Sequence, residues 1–130
     1  MLEVNRPDVL SEVHYAFDAY EAALVGNDVA ALDDFFWKSD FTLRYGATEN
    51  LYGHEAIAAF RAARPATNLA RTIARLVITT FGTDFATANM EFTRAGMARA
   101  GRQSQTWVRM PEGWRVVAAH VSVTAEGPRP

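Results

Sequence analysis

The run Gly101-Arg102-Gln103-Ser104-Gln105-Thr106-Trp107-Val108-Arg109, followed after a short turn by Trp114-Arg115-Val116-Val117-Ala118-Ala119-His120-Val121-Ser122-Val123, decides how the rest of the chain is read. Both stretches are rich in strand-forming residues, and Pro111-Glu112-Gly113 between them supplies a turn, so the pair reads as a β-hairpin. Side chains alternate faces along a strand, which puts Gln103, Gln105 and Trp107 on one face of the first arm. On the second arm the same alternation groups Trp114, Val116, Ala118, His120 and Ser122. Polar groups interspersed with tryptophan on a face that should be buried point to the lining of a pocket.

Working back from the hairpin, the period of two persists to Leu69. Strands are expected at 70–81, 85–94, 102–110 and 114–123, divided by Gly82-Thr83-Asp84, by Ala95-Gly96 and by the Pro-Glu-Gly turn. Before Leu69 the spacing is helical. Val13, Phe17, Tyr20 and Leu24 recur every three or four residues, with Asn5 or Asp8 suited to cap the start and Gly26-Asn27 to end the helix. Asp28 caps a second, short helix whose apolar side carries Leu32, Phe35 and Phe36. A strand at 41–45, stopped by Gly46, pairs with 48–52, and Gly53-His54-Glu55 opens a third helix that carries Ile57 and Phe60 and ends at Pro65.

Helices followed by a meander make an α+β domain. Three N-terminal helices packed in a strongly curved, mostly antiparallel sheet would enclose a conical cavity. The domain is expected to span 1–123, with a flexible C-terminal tail at 124–130. Alternating apolar residues on the outer face of 70–81 and 85–94 predict a homodimer formed sheet to sheet.

Composition narrows the function. A chain of 130 residues, 49% hydrophobic, is one folded domain. Thirteen basic against 15 acidic residues leave a net charge of −2, with no field for nucleic acid or an anionic membrane. Without cysteine there is no disulfide, thiolate nucleophile or thiolate metal site. His14, His54 and His120 lie far apart and form no ligand-spaced cluster, so no metal is expected. The absence of an apolar leader or membrane-length run predicts a cytoplasmic protein. Nucleotide binding and serine hydrolysis lack their motifs.

The order helix–helix–strand–helix–meander, closed by Trp114 through His120 to Ser122, resembles the NTF2-like, or SnoaL-like, superfamily of cone-shaped proteins. Three segments are more specific: Leu43-Arg44-Tyr45-Gly46-Ala47-Thr48-Glu49-Asn50-Leu51-Tyr52-Gly53, Ala59-Phe60-Arg61-Ala62-Ala63-Arg64-Pro65, and Gly101 through Trp107. Together they are similar to the AtzH/HpxZ-like family of cyanuric acid and oxalurate catabolism. The resemblance implies a cofactor-independent protein of ureido-acid chemistry. One branch is a decarboxylating amidohydrolase that converts 1,3-dicarboxyurea to allophanate and carbon dioxide. The other accompanies an amidase in oxalurate breakdown, which leaves open a non-catalytic accessory module that binds a ureido acid or partners an amidase.

Candidate site residues follow. Arg44, on a strand among apolar neighbours, either grips a ligand carboxylate through its fork or pairs with Glu49 or Glu91. Tyr20 is a core phenol whose hydroxyl reaches the cavity wall, where the resemblance favours a catalytic role in proton delivery or water orientation. Gln105 offers amide donors and acceptors to a urea-like frame, and Trp107 a flat face. His120 is a further ligand contact or proton relay, or else a satisfied core group. Arg64, one turn from Phe60, is a second carboxylate clamp, with Arg61 beside it; a surface ion pair is the bland option for both.

Overall fold

The computed structural model describes residues 2–125. Val9, Val13, Phe17, Tyr20 and Leu24 form one buried stripe along α1 (Pro7–Val25). Pro7 lies in the first turn, where its missing N–H costs nothing. Asn5 does not cap this helix. Its backbone N–H donates to the Thr80 carbonyl at 3.0 Å and its side-chain oxygen accepts from the Thr80 N–H at 2.9 Å, tying the N-terminal segment to the sheet. Asp8 accepts from its neighbour Val9 instead of closing the helix end. Asp28 does cap, accepting from the Ala31 N–H at 3.1 Å at the start of α2 (Val29–Phe35). A cap of this kind contributes about 1 kcal/mol.

The remaining elements are β1 (Leu43–Tyr45), β2 (Asn50–Tyr52), α3 (His54–Ala63), β3 (Thr72–Phe81), β4 (Phe85–Thr93), β5 (Gly101–Met110) and β6 (Gly113–Val123). This is the element order the sequence implies. The strands run β2-β1-β6-β5-β4-β3 in one six-stranded sheet. Every neighbouring pair is antiparallel except β1 and β6, which run parallel. All three helices pack against the sheet: α1 on β3, α2 on β6, and α3 on β1 and β2. Ala86, Ala88 and Ala119 keep the inner face low, leaving depth for Phe17, Phe36, Phe92 and Trp107.

The strongly curved cone is not what forms. The sheet is mixed and not strongly curled. Curling needs repeated bulges, or closure of one edge strand on the other. Here two register shifts interrupt the ladders, one between Ile73 and Arg75 and one between Thr106 and Trp107, and the edges β2 and β3 lie at opposite ends of the strand order.

The second shift matters for the site. Trp107 pairs with Val116 and Thr106 with Ala118, so Val117 has no opposite residue. Alternation restarts after this bulge: Trp114 and Val116 face inward, then Ala119 and Val121 do, opposite Gln105 and Gln103. Ala118, His120 and Ser122 therefore face out with Thr106, Ser104 and Arg102, not in with Trp114.

On the outer face Val77, Phe85 and Tyr52 are exposed, interspersed with Arg75, Asn89 and Glu91. Among the described residues no helix is long and apolar enough to cross a membrane. Of the expected tail, the part beyond Ala125 lies outside the described residues.

Candidate functional site

A cavity of about 360 Å³ opens between the C-terminal halves of α1 and α3, the segment 64–71 and the inner face of the sheet. That is the small end of the range of ligand sites, roughly 300–1,000 Å³. Five arginines line it: Arg44, Arg61, Arg64, Arg71 and Arg94.

Three of them have carboxylate partners. Arg44, on β1 with its guanidinium 5.6 Å from the Phe60 ring, donates Nη1 to Glu49 at 3.0 Å. Of the two partners open to it, Glu49 is the one used. Gly46 makes this possible, because a Cβ there would fall 1.7 Å from the Glu49 carboxylate. Burial pushes the Glu49 carboxyl up, but hydrogen bonds from Thr48 and Arg44 outweigh it and hold the group below the ordinary carboxylate range. Arg44 has no other partner among the described residues, so its remaining donors are free for a ligand. Buried Arg61 pairs with Asp33 across the α3–α2 contact and lies over Phe36 at 5.0 Å. Arg71 pairs through both Nε and Nη2 with Glu21 of α1, and Nη2 also donates to Gln103 Oε1 at 3.2 Å. This last bond orients the Gln103 amide, leaving its Nε2 a buried donor with no acceptor.

Arg64 and Arg94 have no carboxylate partner among the described residues. Arg64 follows the last turn of α3, and Pro65 after it holds its backbone extended (ψ 150°), which ends the helix there. Its Nε and Nη2 are buried without an acceptor, as is Nε of Arg94. Burial pushes both guanidinium groups below their ordinary value. Like charges push the same way, Arg61, Arg44 and Arg94 on Arg64, and Arg71 on Arg94. Arginine stays protonated despite this, so the cavity holds more positive than negative charge.

Tyr20 is 5% exposed and wedged edge-on against Phe35 and Trp107, with ring centroids 5.9 and 6.2 Å away. It lines the cavity, and its hydroxyl has no hydrogen-bond partner among the described residues. Trp107 and Gln105 are buried on the inner face as expected but lie under the site, outside the cavity lining. Trp107 Nε1 donates to Gln105 Oε1 at 3.0 Å, and the pair supports Tyr20 from beneath. Gln103, two residues earlier on the same face, takes the lining position assigned to Gln105. His120 lies on the far side of the sheet, exposed and edge-on to Tyr45 at 5.5 Å, so it is not near the cavity. Of the expected residues, Tyr20, Arg44 and Arg64 meet in one place.

Arg71 and Arg94 fall inside the strands expected at 70–81 and 85–94, but at their ends and in none of the three motif segments, so nothing singles them out in the sequence. One compositional signal was available: Lys38 is the sole lysine among the 13 basic residues. So strong a bias to arginine fits cations that are buried and must bind planar anions.

The family model described as AtzH-like matches residues 2–127. The chain belongs to the AtzH-like family. A DUF3225-family protein of unknown function from Pectobacterium atrosepticum is 60% identical over 94% of this chain and 95% of its own, with a TM-score of 0.93. A cystatin-like fold protein from Burkholderia xenovorans is 48% identical over 96% and 98%, with a TM-score of 0.92. An NTF2-like protein of unknown function from Pseudomonas putida, 18% identical over 86% and 84% with a TM-score of 0.70, shares the fold. No curated protein matches. Membership of the AtzH-like family agrees with the residues that converge on the cavity, since Arg44, Gly46, Glu49, Arg61, Arg64 and Gln103 all come from the three segments that carried the resemblance.

Proposed function

We propose that the protein binds a small carboxylate-bearing ureido acid in the arginine cavity and works as the ligand-binding partner of an amidase in ureide breakdown. The observation that carries this reading is the pair of cavity arginines, Arg64 and Arg94, without a carboxylate of their own. Buried cations are costly unless an anion answers them, and a ligand carboxylate would do so. The ureido part rests on membership of the AtzH-like family. We propose that the outer sheet face pairs two copies of this chain.

One observation favours a second reading, a decarboxylating amidohydrolase acting on 1,3-dicarboxyurea or a related ureido acid. Tyr20 presents a hydroxyl to the cavity without a protein partner, beside the positive charge of Arg64. In that reading the N–CO₂⁻ bond breaks, carbon dioxide leaves, and a proton from Tyr20 or a water it holds replaces it on nitrogen, giving allophanate. Arg44 would hold the substrate while this happens. A positioned proton donor contributes about 10²–10⁴-fold in rate.

Purified protein incubated alone with 1,3-dicarboxyurea separates the two. The binding role predicts no carbon dioxide release and co-elution with an amidase. Turnover by the isolated chain, lost in Tyr20→Phe with little change in KM, would replace it with the catalytic role. Light scattering tests the dimer: the expected mass is twice that of the chain, reduced to one by Val77→Arg, and a monomeric wild type rejects it.

A further inference from the structure

Arg64, Arg94 and Gln103 differ from the other polar residues of the cavity. Arg44, Arg61 and Arg71 are each answered by a carboxylate, from Glu49, Asp33 and Glu21. Arg64 and Arg94 are not. Together with Gln103 they present four buried nitrogens, Nε and Nη2 of Arg64, Nε of Arg94 and Nε2 of Gln103, none with an acceptor. All three residues line the same cavity. All four atoms are donors, so the group they fit is an acceptor on every side, as a carboxylate is. A purely structural arginine here would have found an acidic partner, as its three neighbours did.

Their placement separates them from Arg44. Arg44 is on β1 and Arg94 directly follows β4, with β6 and β5 between; the ladders carry Arg44 across through Ala119 and Gln105 to Ala88, six residues before Arg94, so the two backbones are separated along the strands as well as across them. Arg64 enters from the end of α3 and is within electrostatic reach of both. Arg71 and Arg94 both lie over the Phe92 ring, at 4.6 and 4.9 Å, and this ring occupies the space left by Gly101 on β5. A rigid apolar base thus holds Arg94 in place.

We infer that Arg64, Arg94 and Gln103 form a second carboxylate subsite, distinct from the Arg44 end, and that it makes the cavity select doubly over singly charged ligands. The assignment rests on the carboxylate-binding role proposed above and adds a direction to it. A dianion is held at both ends, and a ligand that has lost one carboxylate is released.

The test is calorimetric titration of the full chain with malonate, succinate and glutarate, each beside its half-amide, which has the same length and one charge fewer. At least one diacid should bind about 10–100-fold more tightly than its half-amide. Arg94→Gln should remove most of that preference, weakening the diacid by a larger factor than its half-amide. Gln103→Leu should narrow the preference by less. Without ligand, Arg94→Gln should unfold at or above the wild-type temperature, since it removes a repelled charge; Arg64→Gln serves the same test if Arg94→Gln does not fold. Equal binding of diacid and half-amide by the wild type would overturn the selectivity while leaving the cavity a carboxylate site. A preference that persists in both arginine variants would overturn the residue assignment. If no diacid or half-amide binds, the subsite and the binding role fall together.

Discussion

Tyr20 and Gly46 show how a single position divides between fold and function. The Tyr20 ring is held by three aromatic neighbours, Phe35, Phe36 and Trp107, while its hydroxyl bonds to nothing among the described residues. Tyr20→Phe should therefore change unfolding free energy by no more than about 0.5 kcal/mol in urea titration. A loss well above 1 kcal/mol would mean that the hydroxyl has a structural partner. Gly46 is the opposite case. Any side chain there strikes the Glu49 carboxylate and parts it from Arg44. Because the group displaced is the free end of a flexible side chain, Gly46→Ala is expected to cost no more than about 1 kcal/mol by the same titration, and the freed Arg44 makes anion affinity rise, not fall.

At the scale of elements, β5 does two jobs with one alternation. Its inward residues Gln103, Gln105 and Trp107 run from cavity wall to core, and its first residue leaves room for Phe92 on β4. A Cβ on Gly101 would lie 2.3 Å from the Phe92 ring. Gly101→Ala should cost about 1–3 kcal/mol through displacement of that ring. Because Arg71 and Arg94 rest on it, the same variant should bind carboxylates less tightly by calorimetry; unchanged affinity would show that the ring does not position them. The hairpin also marks where sequence reasoning stops. Alternation assigns the inner face of β5 correctly, as its ladder to β4 is regular. It misassigns His120 because a bulge at Val117 adds one residue, and nothing in Arg115-Val116-Val117-Ala118 signals it. The helices are more legible: three-four spacing locates the buried stripe of α1, and Asp28 announces α2.

For the whole molecule, the order of elements and the family were readable, and the curvature was not. Sheet shape depends on how edges and bulges are placed, and local propensity carries little of that. The cavity was readable in part, since Tyr20 lies on the stripe of α1 and Arg44 and Arg64 lie in motifs, whereas Arg71 and Arg94, at the ends of the expected strands, belong to no motif. The molecule is also tied across its layers by Glu12 of α1, which accepts from both terminal nitrogens of Arg109 on β5 at 2.7 and 3.1 Å. Those bonds, opposed only in part by desolvation, hold the Glu12 carboxyl below its usual value, and Glu49 is depressed as well. A depressed carboxyl stabilises the fold fully above its unfolded value, about 4.3, and loses that contribution as pH falls through the lower folded value. Urea midpoints should accordingly be level from about pH 7 to pH 5 and drop below about pH 4. Glu12→Gln should flatten part of the drop; a drop of unaltered size would remove Glu12 from the account.

The central claim is that the arginine cavity is where this chain meets a carboxylate. A crystal structure grown with a ureido acid such as ureidoacetate tests it most directly. The account predicts the carboxylate against Arg44 or Arg64, with the Tyr20 hydroxyl within hydrogen-bond distance of the ligand. A ligand seated elsewhere, with Arg64 and Arg94 turned out to solvent and the cavity closed, would contradict it.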